Sequence, residues 1–181
     1  MRFDKLTTKF QQALADAQSI ALGADNSTIE AQHLLLAMLN QDDASTSALL
    51  ARAGVQVNPL KTALNQAISN LPKATESNGE IAISRDLNNL LNVTDKFAQK
   101  RNDAYIASEM FLLALAEDKG ETGKLLKSNG LTKSALEAAI QTVRGDQHVD
   151  SQEAEGQREA LKKYTLDLTE RARMGKWDPV F

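Results

Sequence analysis

Apolar residues fall at intervals of three and four along most of the chain. Leu6, Phe10, Ala13, Leu14, Ala17, Ile20 and Ala21 trace one buried helix face. Gly23 follows as a residue suited to a left-handed stop. Ser27 and Glu30 stand at capping-box spacing ahead of Leu34, Leu35, Leu36, Ala37, Met38 and Leu39. A third, short helix carries Leu49 and Leu50 and closes at Gly54. Asn58-Pro59 reads as a cap followed by a first-turn proline, opening a fourth helix through Leu60, Leu64 and Ile68. No stretch alternates cleanly enough for a core strand, although Ile81 and Ile83 suit a brief extended pair.

The pattern then repeats. At a spacing of 77 residues Leu14 matches Leu91, Ala21 matches Ala98, Ile29 matches Ile106 and Leu35-Leu36-Ala37 matches Leu112-Leu113-Ala114. After one deletion the spacing is 76: Leu49-Leu50 matches Leu125-Leu126, Gly54 matches Gly130, Leu60 matches Leu136 and Ala63 matches Ala139. Both terminating glycines stay in register, which scattered Leu and Ala coincidences do not produce. The expected fold is all-α: two four-helix repeats, about 1–70 and 81–145, joined by a polar turn-rich segment and related by a pseudo-twofold. Residues 146–160 are polar and acidic, with nothing apolar larger than Val149, and are expected to form a mobile linker. From Leu161 a helical face returns through Tyr164, Leu168 and Ala172, too short to bury itself alone.

Composition narrows the chemistry. The 181 residues carry a net charge of −3, no cysteine and two histidines. Disulfides and thiolate metal sites are excluded, and no basic stripe suits nucleic acid. The charged N-terminus is no signal peptide and no apolar run is long enough to span a membrane, so a cytoplasmic home is expected. The nine glycines are scattered, with no phosphate-binding loop. His33 and His148 lie in different segments without a second ligand, and Asp95 and Lys96 read as solvated helix charges. No catalytic residue, metal or cofactor is assigned to this chain.

Two apolar residues stand out as surface candidates. Val93 falls off the stripe formed by Leu87, Leu90, Leu91, Thr94, Phe97 and Ala98, and Met110 opens a helix at the position of His33 in the first repeat. Either they hold exposed apolar segments of a partner or they are half-buried packing residues.

Met1-Arg2-Phe3-Asp4-Lys5-Leu6-Thr7, Ala15-Asp16-Ala17-Gln18-Ser19, Asp95-Lys96-Phe97-Ala98-Gln99-Lys100-Arg101 and the run from Ala160 to Ala172 resemble the N-terminal region of the ClpB family of Clp/AAA+ chaperones. The resemblance spans the chain, departing at Trp177 and Phe181, where that family usually has Leu and Ile. It implies a Clp N-terminal double repeat at 1–145, a linker at 146–160 and the truncated start of a first ATPase domain at 161–181. It implies a longer protein that is hexameric, uses ATP and Mg²⁺, and rescues aggregated proteins together with the DnaK system. The chain's own share would be recruitment of unfolded polypeptide through a shallow groove, with Leu14, Leu91, Val93, Phe97 and Met110 as walls and Thr7, Asp103 and Glu109 at the rim. The alternatives are an adaptor-binding domain of a ClpA/ClpC-type protease unfoldase and a helical scaffold without client binding.

Overall fold

The structure, a computed structural model, describes residues 2–74 and 80–156. Repeat one contributes α1 (Thr8–Gly23), α2 (Ala31–Leu39), α3 (Ser45–Arg52) and α4 (Val57–Ser69); repeat two contributes α5 (Arg85–Lys100), α6 (Ser108–Glu117), α7 (Glu121–Ser128) and α8 (Lys133–Arg144). Each helix starts at its counterpart's position plus 77 or 76, so the register read from leucines and glycines is the register of the fold. Local chemistry repeats with it. Thr7 caps α1 by accepting from the Phe10 N–H, and its counterpart Ser84 caps α5 by accepting from Leu87. The turns after α1 and α5 use left-handed residues at Asp25 (φ 57°) and Asn102 (φ 60°). The expected stop at Gly23 is therefore displaced: Gly23 is the last residue of α1 and Asp25 takes the left-handed conformation.

Two further caps differ from expectation. Glu30 is itself the N-cap of α2, its side chain accepting from the His33 N–H while the His33 ring accepts from the Glu30 N–H at 2.8 Å. Ser27 takes no part in this box, because Thr28–Ile29 form a strand, β1, between them. α4 begins at Val57, so Asn58 and Pro59 both lie in its first turn.

α2 and α6 are buried on every side and form the centre. α1 packs on α2 and α5 on α6, while α3 meets α8 and α4 meets α7 across the repeats. Phe10 and Phe111 join the halves, ring centroids 6.3 Å apart. The extended segments are exchanged: β1 of repeat one pairs in parallel with β2 (Ala82–Ile83), which leads into repeat two, and Leu6 at the start of repeat one bridges Ile106 of repeat two. The Ile81 and Ile83 signal thus marks a real two-stranded element.

The expected mobile linker is corrected as far as the described residues reach. Val149 is buried, its carbonyl accepts from the N–H groups of Ala104 and Tyr105, and the Gln152 carbonyl accepts from Thr8 at 2.9 Å. The segment is polar because backbone hydrogen bonds and one buried carboxylate, rather than an apolar face, hold it. The expected truncated ATPase start at 161–181 lies outside the described residues.

Candidate apolar groove and buried charge network

Along the exposed flank of α1 runs a groove of about 730 Å³. Leu14, Ile81 and Ile83 give its apolar surface over the buried Leu6 and Ile29, Phe3 stands at one end, and Gln11, Gln18 and Gln152 edge it. Phe3 is 45% exposed, the one large exposed hydrophobic among the described residues. Two geometric causes make the groove. The strand pair lies beside α1 without covering it, and the turn at Phe3–Lys5 raises Phe3 clear of the core.

Of the wall residues expected from sequence, only Leu14 lies here. Val93 lines a separate cleft with Ala31, Leu71 and Leu90, edged by Glu30, Asp86, Asp118 and Glu121. Phe97 is half-buried, with the Lys100 and Lys133 ammonium groups each 5.7 Å from its ring centroid. Leu91 and Met110 are fully buried and do not face solvent. Their placement is corrected for one reason: α5 turns its stripe inward, and α6 is enclosed all round, so its first turn is core as well. Sequence reasoning missed Phe3 and underused Ile81 and Ile83. Their alternation beside a polar segment was the available signal.

The three rim residues are also placed inside. Thr7 and Glu109 are buried and the Asp103 carboxylate has no exposed surface. Arg144 donates to Glu109 at 2.9 Å and to Asp103 at 2.8 Å. Asp103 also accepts from the Val149 N–H at 3.0 Å. Thr7 donates to Glu155 at 2.7 Å, and Glu155 accepts from the Ser108 N–H at 3.1 Å and meets the Ser108 hydroxyl. Burial and then the negative charge of Glu109 push the Glu155 carboxyl above its ordinary range, against the downward pull of the Ser108 and Thr7 hydrogen bonds. Burial alone would lower the Arg144 guanidinium, but the two carboxylates outweigh it and hold it above its ordinary value. Thr7 serves as the cap of α1. Asp103 and Glu109 are ion-paired in the interior rather than exposed at a groove rim. Glu155 carried no sequence signal: it is one acid in a polar run.

His33 is buried between the Glu30 N–H and Asn26, 2.8 Å from the Asn26 side-chain oxygen. Its Nδ1 accepts, so Nε2 carries the proton, and burial holds the ring below its ordinary pKa. It is a structural residue. Among the described residues no cluster of His, Cys, Asp or Glu is arranged to hold a metal, and no helix is long and apolar enough to cross a membrane.

The exchanged double repeat has a counterpart in known proteins. Residues 5–129 match the model of the Clp repeat N-terminal domain. The chain belongs to the Clp N-terminal domain family. Over 180 residues this Clp N-domain is 48% identical to the chaperone protein ClpB of Vibrio cholerae, covering 99% of the chain and 21% of that protein. It is 46% identical, with the same coverage, to ClpB of Pseudomonas putida. The chain thus spans about a fifth of the length of these relatives. Its fold matches the Hsp104 N-terminal domain of Candida albicans with a TM-score of 0.72 at 24% identity, covering 82% of this chain and 97% of that one. A ClpV N-domain in complex with a VipB peptide matches with a TM-score of 0.62 at 20% identity, covering 79% and 89%. No catalytic domain is evident among the described residues.

Proposed function

We propose that this Clp N-domain recruits unfolded or aggregated polypeptide to an ATP-driven, hexameric disaggregase working with the DnaK system in the cytoplasm, and that the groove along α1 holds the exposed apolar segments of those clients. The observation that carries the reading is the coincidence of Phe3, the one large exposed hydrophobic among the described residues, with the half-buried Leu14, Ile81 and Ile83 in one open groove. Misfolded chains differ from native ones chiefly in displaying apolar groups, which such a surface accepts without a sequence code. A ClpV N-domain of the same fold in complex with a VipB peptide supports the idea that the architecture can hold a peptide. A bound segment burying a few hundred Å² gains several kcal/mol at roughly 25 cal/mol per Å², most of it offset by ordering. Dissociation constants of about 10–100 μM follow, suited to a site that releases its cargo.

The test is titration of a permanently unfolded model protein against Phe3→Ser, Ile83→Asp and Val93→Asp variants. Loss of binding in the first two, with Val93→Asp retained, places the client on α1. Loss only in Val93→Asp moves it to the acidic-edged cleft. Full binding by all three, each folded, leaves the scaffold reading, and binding of a protease adaptor in place of the unfolded protein would favour the adaptor reading.

A further inference from the structure

Glu155 is the buried carboxylate of the segment that follows α8. Its carboxylate is enclosed by both repeats at once: Thr7, the cap of α1, donates to it from one side, and the backbone N–H of Ser108, the first residue of α6, donates from the other. Three residues earlier, the Gln152 carbonyl takes the Thr8 N–H, and the Gln152 side chain donates to the Asp4 carbonyl at 2.9 Å. Gln152 is also a wall of the groove along α1. Further back, Val149 is held by Asp103, which Arg144 ties to Glu109. Of the residues expected at a client-facing rim, Thr7 and Asp103 therefore grip the chain's own tail directly, at Glu155 and Val149, while Glu109 holds Arg144 beside them.

We propose that residues 150–156 are a detachable strap, latched by Glu155 in the seat between Thr7 and Ser108, and that releasing the latch removes the Gln152 wall and widens the groove along α1. The unequal quality of the two anchors makes the strap releasable. Val149 buries an apolar side chain and keeps three backbone hydrogen bonds, counting the one to Asp103. Glu155 is a carboxylate withdrawn from water beside Glu109, with Lys9 the cation that offsets it. A buried charge flanked by a like charge repays its desolvation only while every hydrogen bond is made. The strap thus opens from its distal end and stops at Val149. Substitution of Thr7 or Glu109 acts on clients through the strap, without either side chain touching one. The consequence for clients rests on the groove reading above; the latch itself does not.

Hydrogen exchange on the full 181-residue chain tests the latch without a client. In the wild-type protein the amides of Thr8 and of residues 150–156 exchange through a local opening, faster than those of α2 and α6. Glu155→Ala speeds Thr8 and Ser108 at least tenfold more and leaves α2 and α6 unchanged, whereas Glu155→Gln, which keeps the accepting oxygen, stays within a few-fold of wild type. Strap amides that exchange only with global unfolding, or a Thr8 amide indifferent to Glu155→Ala, overturn the latch. Since the chain has no cysteine of its own, a Thr8→Cys, Glu153→Cys pair, at positions whose side chains meet and which leaves Gln152 in place, can lock the strap by oxidation. Oxidation should lower binding of an unfolded model protein several-fold, reversibly with reductant. Equal binding by the locked and reduced forms overturns the widening of the groove, while absence of binding by the wild-type domain itself would count against the client reading alone.

Discussion

Behind the loop that follows its first helix, repeat one holds Asn26, Gln32, His33 and Ile68. At the equivalent positions, 77 or 76 residues on, repeat two holds Asp103, Glu109, Met110 and Arg144. The backbone task is the same in both. A short tail after the fourth helix must be tied to that loop: Asn26 donates to the Pro72 carbonyl at 3.2 Å beside a bridge between Asn26 and Lys73, and Asp103 accepts from Val149. Repeat one does it with a neutral amide and imidazole, repeat two with two carboxylates sharing a guanidinium. Topology demands a polar loop-to-tail tie but leaves its chemistry open, and the two choices differ in how they fail. A neutral pair that loses a member leaves an unsatisfied hydrogen bond, whereas a buried ionic triad that loses its cation leaves two unpaired charges.

The largest expected effect follows from that asymmetry. Arg144→Ala should destabilise the domain by about 3–5 kcal/mol, read by urea unfolding. Replacing the triad by repeat one's residues together, Asp103→Asn, Glu109→Gln and Arg144→Ile, should recover most of the loss. If the triple variant is as unstable as the single one, the two ties are not interchangeable.

Leu14 and Leu91 occupy equivalent positions but sit half-buried beside the groove and fully buried in the core, respectively. Leu91→Ala should cost about 2–5 kcal/mol and Leu14→Ala well under that. Comparable losses in melting experiments would mean that Leu14 is core too, and that the groove is shallower than drawn.

The helix-stop glycines make a smaller contrast. Gly54 (φ 92°) and Gly130 (φ 109°) are both left-handed, so alanine is strained at either by about 1 kcal/mol. A Cβ at Gly130 would also lie 2.6 Å from the Gly54 carbonyl oxygen, while at Gly54 nothing is within 4 Å. Gly130→Ala should therefore lower the melting temperature more than Gly54→Ala.

The smallest effect is a pH response of opposite sign. His33 has its folded pKa depressed, so the unfolded chain binds more protons and stability falls as pH drops below the ordinary histidine value of 6.5. Glu155 has its folded pKa raised, by burial first and then by Glu109, with Lys9 and the Ser108 and Thr7 hydrogen bonds pulling the other way. The folded chain then holds the proton longer, and stability falls as pH rises above the ordinary value of 4.5. His33→Gln should flatten the acid limb of a stability profile and Glu155→Gln the other. A shared limb would show that the two sites are coupled.

Helix positions and the duplication were legible because periodic burial and glycine stops are local and repeat. The 77-residue offset places α5 from α1 to the residue. Which helix faces reach solvent was not legible. Met110 and Phe3 are both large and apolar near the start of a segment, yet one is enclosed by neighbours distant in sequence and the other is not. The same applies to Asp103, Glu109 and Glu155. A carboxylate's burial depends on a cation or donor that arrives from another element, and nothing in the local pattern announces Arg144 or Ser108. Residues 146–156 looked like linker because their order comes from backbone partners across the fold.

The exchange of extended segments between the halves also fixes when this domain can exist. Leu6 has no strand partner until Ile106 has been made, and β1 waits for Ala82–Ile83. At synthesis rates of about 5–20 residues per second, the opening residues wait several seconds for their partner, with Leu6 uncovered. Repeat one is consequently no intermediate that can finish early on the ribosome, and the duplication, though plain in the sequence, yields one indivisible folding event.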